Sequence, residues 1–187
     1  MDLFSIALIS LLMINKNLIS ILKDTFQLDW NGIHGISHWS RVRINGLKIA
    51  NHNGANKRVI ELFSFLHDLK RMNNNRDITH GLRASQFIQT LSNDLLKITD
   101  SEKSLLCIAC ENHSHSRDII TDDITILTCF DADALDLGRV GIMPVAERLN
   151  TDIARDKQFI NDAYNRSIYS KRITIQDVLK KLWRNNA

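Results

Sequence analysis

The sequence predicts an all-α protein, and three observations predict it. Apolar residues recur at three- and four-residue steps, as in Ile175, Val178, Leu179 and Leu182. No run reads as a buried parallel strand. The chain has one Pro and seven Gly, too few turn formers for an all-β sandwich with many tight turns. At 187 residues, one domain with a sizeable core is expected.

Composition narrows the function classes. The apolar fraction is 44% and the charged fraction 24%, both ordinary for a globular protein. A net charge of +3, with His neutral, is too weak a bias to argue for nucleic acid or an acidic membrane. No internal repeat or low-complexity tract is present. Three Cys do not make a disulfide framework and fit a reducing cytosol, so a cytoplasmic location is expected.

Taken in order, residues 2–27 read as a first helix. Its apolar stretch, Leu3 to Ile14, is shorter than the ~20 residues that span a bilayer. Asp2 stands where a secretory signal would be basic. Leu28 to Gly35 is a connection broken by Asp29, Asn31, Gly32 and Gly35. A second helix runs from about Ile36 to Asn51, with His38, Arg41, Val42, Asn45 and Ile49 on one side. Gly46 permits close approach of another helix. A third helix, about Lys57 to Arg71, is apolar on most sides and so central. A fourth, about Ile78 to Leu96, is capped by Asp77 or Thr79. Asp100 or Ser101 starts a fifth, which ends near His113 to His115. Ile124 to Leu137 forms a sixth, and residues 144–168 read as further helix. The tail is a last amphipathic segment around Ile175 to Trp183.

The chemistry lies in the stretch Phe63-Ser64-Phe65-Leu66-His67-Asp68-Leu69-Lys70-Arg71. An imidazole and a carboxylate follow an apolar run directly. They are either a costly burial or a metal site. His38, His67, Asp68 and Asp133 come from three separate helices. Two imidazoles and two carboxylates make a mixed nitrogen and oxygen set suited to Mn, Fe, Co, Ni, Zn or Mg. Such an ion would lower the pKa of water and polarise a phosphorus centre.

The surrounding residues resemble the HD-domain metal-dependent phosphohydrolases. His38-Trp39-Ser40-Arg41-Val42 looks like the family's first element, and Phe65-Leu66-His67-Asp68 like its namesake pair. Asp131-Ala132-Asp133-Ala134-Leu135-Asp136 looks like its distal Asp element. The resemblance spans roughly residues 34–141. It implies a single-domain helical bundle of the HD-domain type and hydrolysis of a phosphomonoester or phosphodiester, commonly of a nucleotide, by metal-activated water. With residues 34–141 as the metal-site core, residues 1–33 read as an N-terminal core helix and connection, and residues 142–187 as C-terminal helices packed on the same domain.

Residue by residue, the resemblance gives His38, His67, Asp68 and Asp133 as metal ligands. Asp131 is the rival to Asp133 for the distal place, and both Asp131 and Asp136 are candidates to support the ligands from behind. His80 and His113 would hold a second metal with a bridging Asp68, or act as general acid. Arg41, Lys70, Arg71 and Arg83 would bind substrate phosphate.

Other residues invite plainer readings. His34 and His52 read as turn or surface histidines, and His115 as exposed. Trp39 reads as core. Cys107 and Cys110 read as small buried residues, the rival being a thiolate zinc clamp with Cys129 and His113. A metal- or nucleotide-sensing module without turnover is the alternative function. The apolar first helix and the amphipathic tail each offer a homodimer contact.

Overall fold

The structure, a computed structural model, describes residues 16–115 and 119–170. It is all-helical, with no strand among those residues. The α-helices in order are α1 (Lys16–Thr25), α2 (Ile36–Asn53), α3 (Lys57–Leu66), α4 (His80–Thr90), α5 (Asn93–Leu96), α6 (Asp100–Asn112), α7 (Ile124–Ala134), α8 (Asp152–Arg155) and α9 (Lys157–Tyr169). Short 3-10 turns cover His113–His115, Leu137–Val140 and Ala146–Arg148. The start of the first predicted helix and the whole amphipathic tail lie outside the described residues.

Local chemistry sets the helix starts. The Asn56 side chain accepts from the Arg58 and Val59 amides at the head of α3. Thr99 and Glu102 form a capping box on α6, and Asp123 accepts from the Thr125 and Ile126 amides of α7. Helix α2 stops at Gly54, whose φ of 76° is the left-handed conformation that favours glycine.

α3 is the central helix. Val59, Ile60, Leu62, Phe63, Phe65 and Leu66 are all buried, packed with Trp39 and Val42 of α2, Leu106 of α6 and Cys129 of α7. A second apolar cluster joins Ile49 and Leu135 to Leu149, Ala154, Ile160 and Ala163. α2 crosses α3 and α7 at Gly46. A Cβ there would meet Ile60 Cγ2 at 2.5 Å and Ala132 Cβ at 3.2 Å, so no larger residue fits without a shift.

Several predicted bounds are corrected. The central helix ends at Leu66, and residues 67–70 form a turn. There Leu69 N bonds Leu66 O at 3.2 Å and Arg71 N bonds Asp68 O at 3.1 Å. Three-residue bonds tighten the end of the helix. The predicted 78–96 helix divides because Leu91 is extended and Ser92 caps a new short helix, α5. The predicted 144–168 helix opens as two short pieces. The backbone amides of Asn150 and Thr151 turn to the Asp131 carboxylate instead, at 2.8 and 2.7 Å.

Candidate metal centre

His38 sits in the first turn of α2, His67 and Asp68 in the turn after α3, and Asp133 near the end of α7. The fold brings them together. His38 Nε2 lies 3.1 Å from His67 Nε2, 3.6 Å from Asp68 Oδ2 and 3.4 Å from Asp133 Oδ1. His67 Nε2 lies 3.8 Å from Asp68 Oδ2 and 3.9 Å from Asp133 Oδ1.

A second imidazole pair sits on the other side of Asp68. His80 starts α4 and His113 follows α6, with their Nε2 atoms 2.8 Å apart. Asp68 Oδ1 is 3.0 Å from His80 Nε2 and 3.6 Å from His113 Nε2. The two oxygens of one carboxylate therefore face two histidine pairs. Asp133 is 22% exposed at its side chain, whereas His38, His67 and Asp68 are at most 3% exposed, so the group opens to solvent at Asp133.

The imidazole protons can be placed from their partners. His67 Nδ1 donates to Phe63 O at 2.9 Å, and His113 Nδ1 donates to Cys110 O at 2.7 Å. His80 Nδ1 donates to Asp77 O. A carbonyl only accepts, so each of these Nδ1 atoms carries the proton. His38 Nδ1 lies 2.7 Å from Asp136 Oδ2, whose oxygens also accept from Arg41. With Nδ1 protonated, a neutral imidazole presents a lone pair at Nε2. The facing Nε2 atoms of each pair then point lone pair at lone pair, which is favourable only with a cation or a proton between them.

Electrostatics fit a cation at the first pair. Burial holds His38 well below the usual imidazole value, helped by the Arg139 guanidinium. Burial lowers His67 to about 4, against the pull of Asp68 and Asp133. Burial pushes Asp68 up, but His67, His113, His34 and His80 outweigh it and hold the carboxyl well below its usual range. Burial likewise opposes ionisation of Asp133, and His67 and Arg139 prevail. The spacings suit an ion too. Donors about 2.1 Å from a tetrahedral centre lie roughly 3.4 Å from one another. Overlapping triads that could hold an ion are His38, His67 and Asp68, then His67, His113 and Asp133, and then Asp68, His80 and His113.

The supporting residues divide. Asp136 is buried and ties His38 to Arg41. Burial raises its carboxyl against the opposing Arg41 charge. Asp131 is a correction. Its carboxylate faces away and accepts from Asn150 and Thr151, because residues 131 and 133 are two apart on a helix and diverge by about 200°. Arg41 is spent on Asp136, and Arg83 on Asp77 and the Lys70 carbonyl. Arg71 does reach the centre, with Nη1 3.5 Å from Asp68 Oδ1 and 3.2 Å from His80 Nε2. Lys70 lies over the Phe87 ring at 5.4 Å. Lys70, Arg71 and Arg83, with Thr25 and Gln27, line a small pocket of about 130 Å³.

His34 is the other correction. It lies in a turn, as read, but it is buried and not at the surface, with Nδ1 2.8 Å from Asp68 Oδ2. His52 and His115 are exposed, and Trp39 is fully buried. Cys107, Cys110 and Cys129 are buried free thiols, and no triad among the described residues that could hold an ion includes one.

No protein-family model matches the chain, and no curated protein matches it. A crystal structure of a predicted HD superfamily hydrolase from an uncultured Thermotogales bacterium does match. It superposes with a TM-score of 0.60 at 21% identity over 92% of each chain. The chain thus shares the all-helical fold of that structure. No described helix is long and apolar enough to cross a membrane.

Proposed function

We propose that this protein is a metal-dependent phosphohydrolase acting on a phosphomonoester or phosphodiester of a small, nucleotide-like molecule. One observation carries the reading. His38 and His67 turn their Nε2 lone pairs toward one point beside Asp68 and Asp133, with each Nδ1 already committed. The neighbouring HD superfamily hydrolase supports hydrolysis in general.

His38, His67, Asp68 and Asp133 would hold the first divalent ion, from the Mn, Fe, Co, Ni, Zn or Mg group, and Asp68, His80 and His113 a second. A divalent ion held there supplies Lewis acidity, making water nucleophilic at neutral pH and polarising a phosphoryl oxygen. The chain supplies the rest. Asp136 fixes the His38 ring through Nδ1, so that Nε2 faces the centre. Arg71 stands at the edge with a guanidinium that can donate to a phosphate oxygen. The adjoining pocket beside Lys70 and Arg71 suits a further anionic group of the substrate. The opening at Asp133 admits water and substrate.

The test is elemental metal analysis with phosphate release from a nucleotide panel in Mn, Co, Ni or Mg. Wild type and the His67→Ala, Asp68→Ala double variant are compared. Metal and turnover are expected in wild type, and the variant should lose more than about 100-fold of each, beyond the usual cost of changing a supporting residue. Undiminished turnover in the double variant would sink the proposal.

A further inference from the structure

His34 contributes to none of the donor triads described above, yet it makes the tightest contact to Asp68, which two of them share. Its Nδ1 is 2.8 Å from Asp68 Oδ2, closer than His38 at 3.6 Å and His67 at 3.8 Å approach that oxygen. We propose that His34 is a positioning residue for the centre. Its Nδ1–H holds Oδ2 of Asp68, so that one carboxylate oxygen faces His38 and His67 and the other faces His80 and His113. The inference rests on Asp68 acting as the shared ligand.

The physical need is clear. The terminal torsion of an aspartate is broad, so an unanchored carboxylate plane turns readily. A plane that must serve two pairs at once needs a fixed orientation. One donor at one oxygen provides it.

The loop that carries His34 is built to hold it still. Gly32 N bonds Asp29 O at 2.8 Å, Gly35 N bonds Gly32 O at 3.1 Å, and Ile36 N bonds Trp30 O at 2.9 Å. A Cβ on Gly35 would stand 2.1 Å from Trp30 O, so this winding requires glycine. Trp30 packs edge-on against Phe26 and Trp39, with centroids 5.6 and 5.2 Å apart. From the opposite side, Arg139 Nε donates to Ile33 O at 3.1 Å. The ring of His34 is thus placed by backbone bonds and an aromatic cluster, independently of any ion.

Three variants test it. Asn places an amide N–H where histidine has Nδ1, and Gln places one nearer Nε2. Each is titrated with Co(II), read by visible absorption and metal content, with a thermal melt on every sample. His34→Ala should weaken ion binding about 10- to 100-fold, the usual cost of losing a partner of a ligand, and should alter the cobalt spectrum. His34→Asn should recover binding to within a few-fold, and His34→Gln should not. If His34→Ala fails to fold, the Asn and Gln variants decide alone. Wild-type binding and spectrum in a folded His34→Ala or His34→Gln protein would overturn the inference. So would a folded His34→Asn protein without recovery, because His34 would then act as a ligand. A wild type that takes up no cobalt would instead overturn the metal centre itself, and this inference with it.

Discussion

The His38–His67 pair and the His80–His113 pair are built alike and surrounded differently. In both, Nδ1 is committed and the Nε2 atoms face each other across about a hydrogen-bond length, 3.1 and 2.8 Å. Around the second pair, the protein offers other ways to satisfy those lone pairs. The Ser114 hydroxyl is 3.2 Å from His80 Nε2, and Arg71 Nη1 is also 3.2 Å away. Burial disfavours a proton on His113, but its contact with Asp68 prevails and raises its affinity for one. Around the first pair, burial keeps both rings neutral, and Asp133 adds a second carboxylate. In the proposed centre the first pair therefore has the greater need of an ion, while the second has other donors at hand. What separates the pairs is the supply of competing donors at the second and the extra carboxylate at the first.

The largest break in this comparison is His38→Ala. It should cost more than about 100-fold in metal affinity and abolish turnover, because the first site loses a ligand and Asp136 no longer holds a ring in place. Isothermal titration with Mn(II) checks it. Next is His113→Ala, which should leave about one tightly held ion per chain by elemental analysis, with turnover down roughly 10- to 100-fold. Equal loss of both ions would mean that the pairs do not act separately. The smallest and sharpest change is Arg71→Met. Removing a charged donor beside His80 should tighten the weaker ion roughly tenfold, the worth of about one charge-assisted hydrogen bond. The same change should raise KM for a phosphate substrate. Opposite movement of those two quantities is the expected signature.

The helical character was legible because periodicity is a local property. So was the HD pair, since an imidazole and a carboxylate directly after an apolar run are conspicuous. The distal position was narrowed to Asp131 or Asp133. The phase of α7 and the turning of the Asn150 and Thr151 amides toward Asp131 separate them, the latter a contact across some 20 residues. His34 was not legible. Its burial depends on a glycine-wound loop closing on the Trp30 carbonyl, and loops of that composition ordinarily lie on the surface. The basic residues were misjudged for a related reason. Sequence shows that Arg41 and Arg83 are near the site but not that Asp136 and Asp77 already hold them.

The crossing at Gly46 has a consequence for ionic radius. His38 rides on α2, Asp133 on α7, and His67 on the turn that ends α3. These are the three elements that a side chain at position 46 would wedge apart, through Ile60 and Ala132. In the proposed centre, the gap between donors, and with it the size of cation that would fit, is gauged two helical turns away from His38, at a residue outside the donor set.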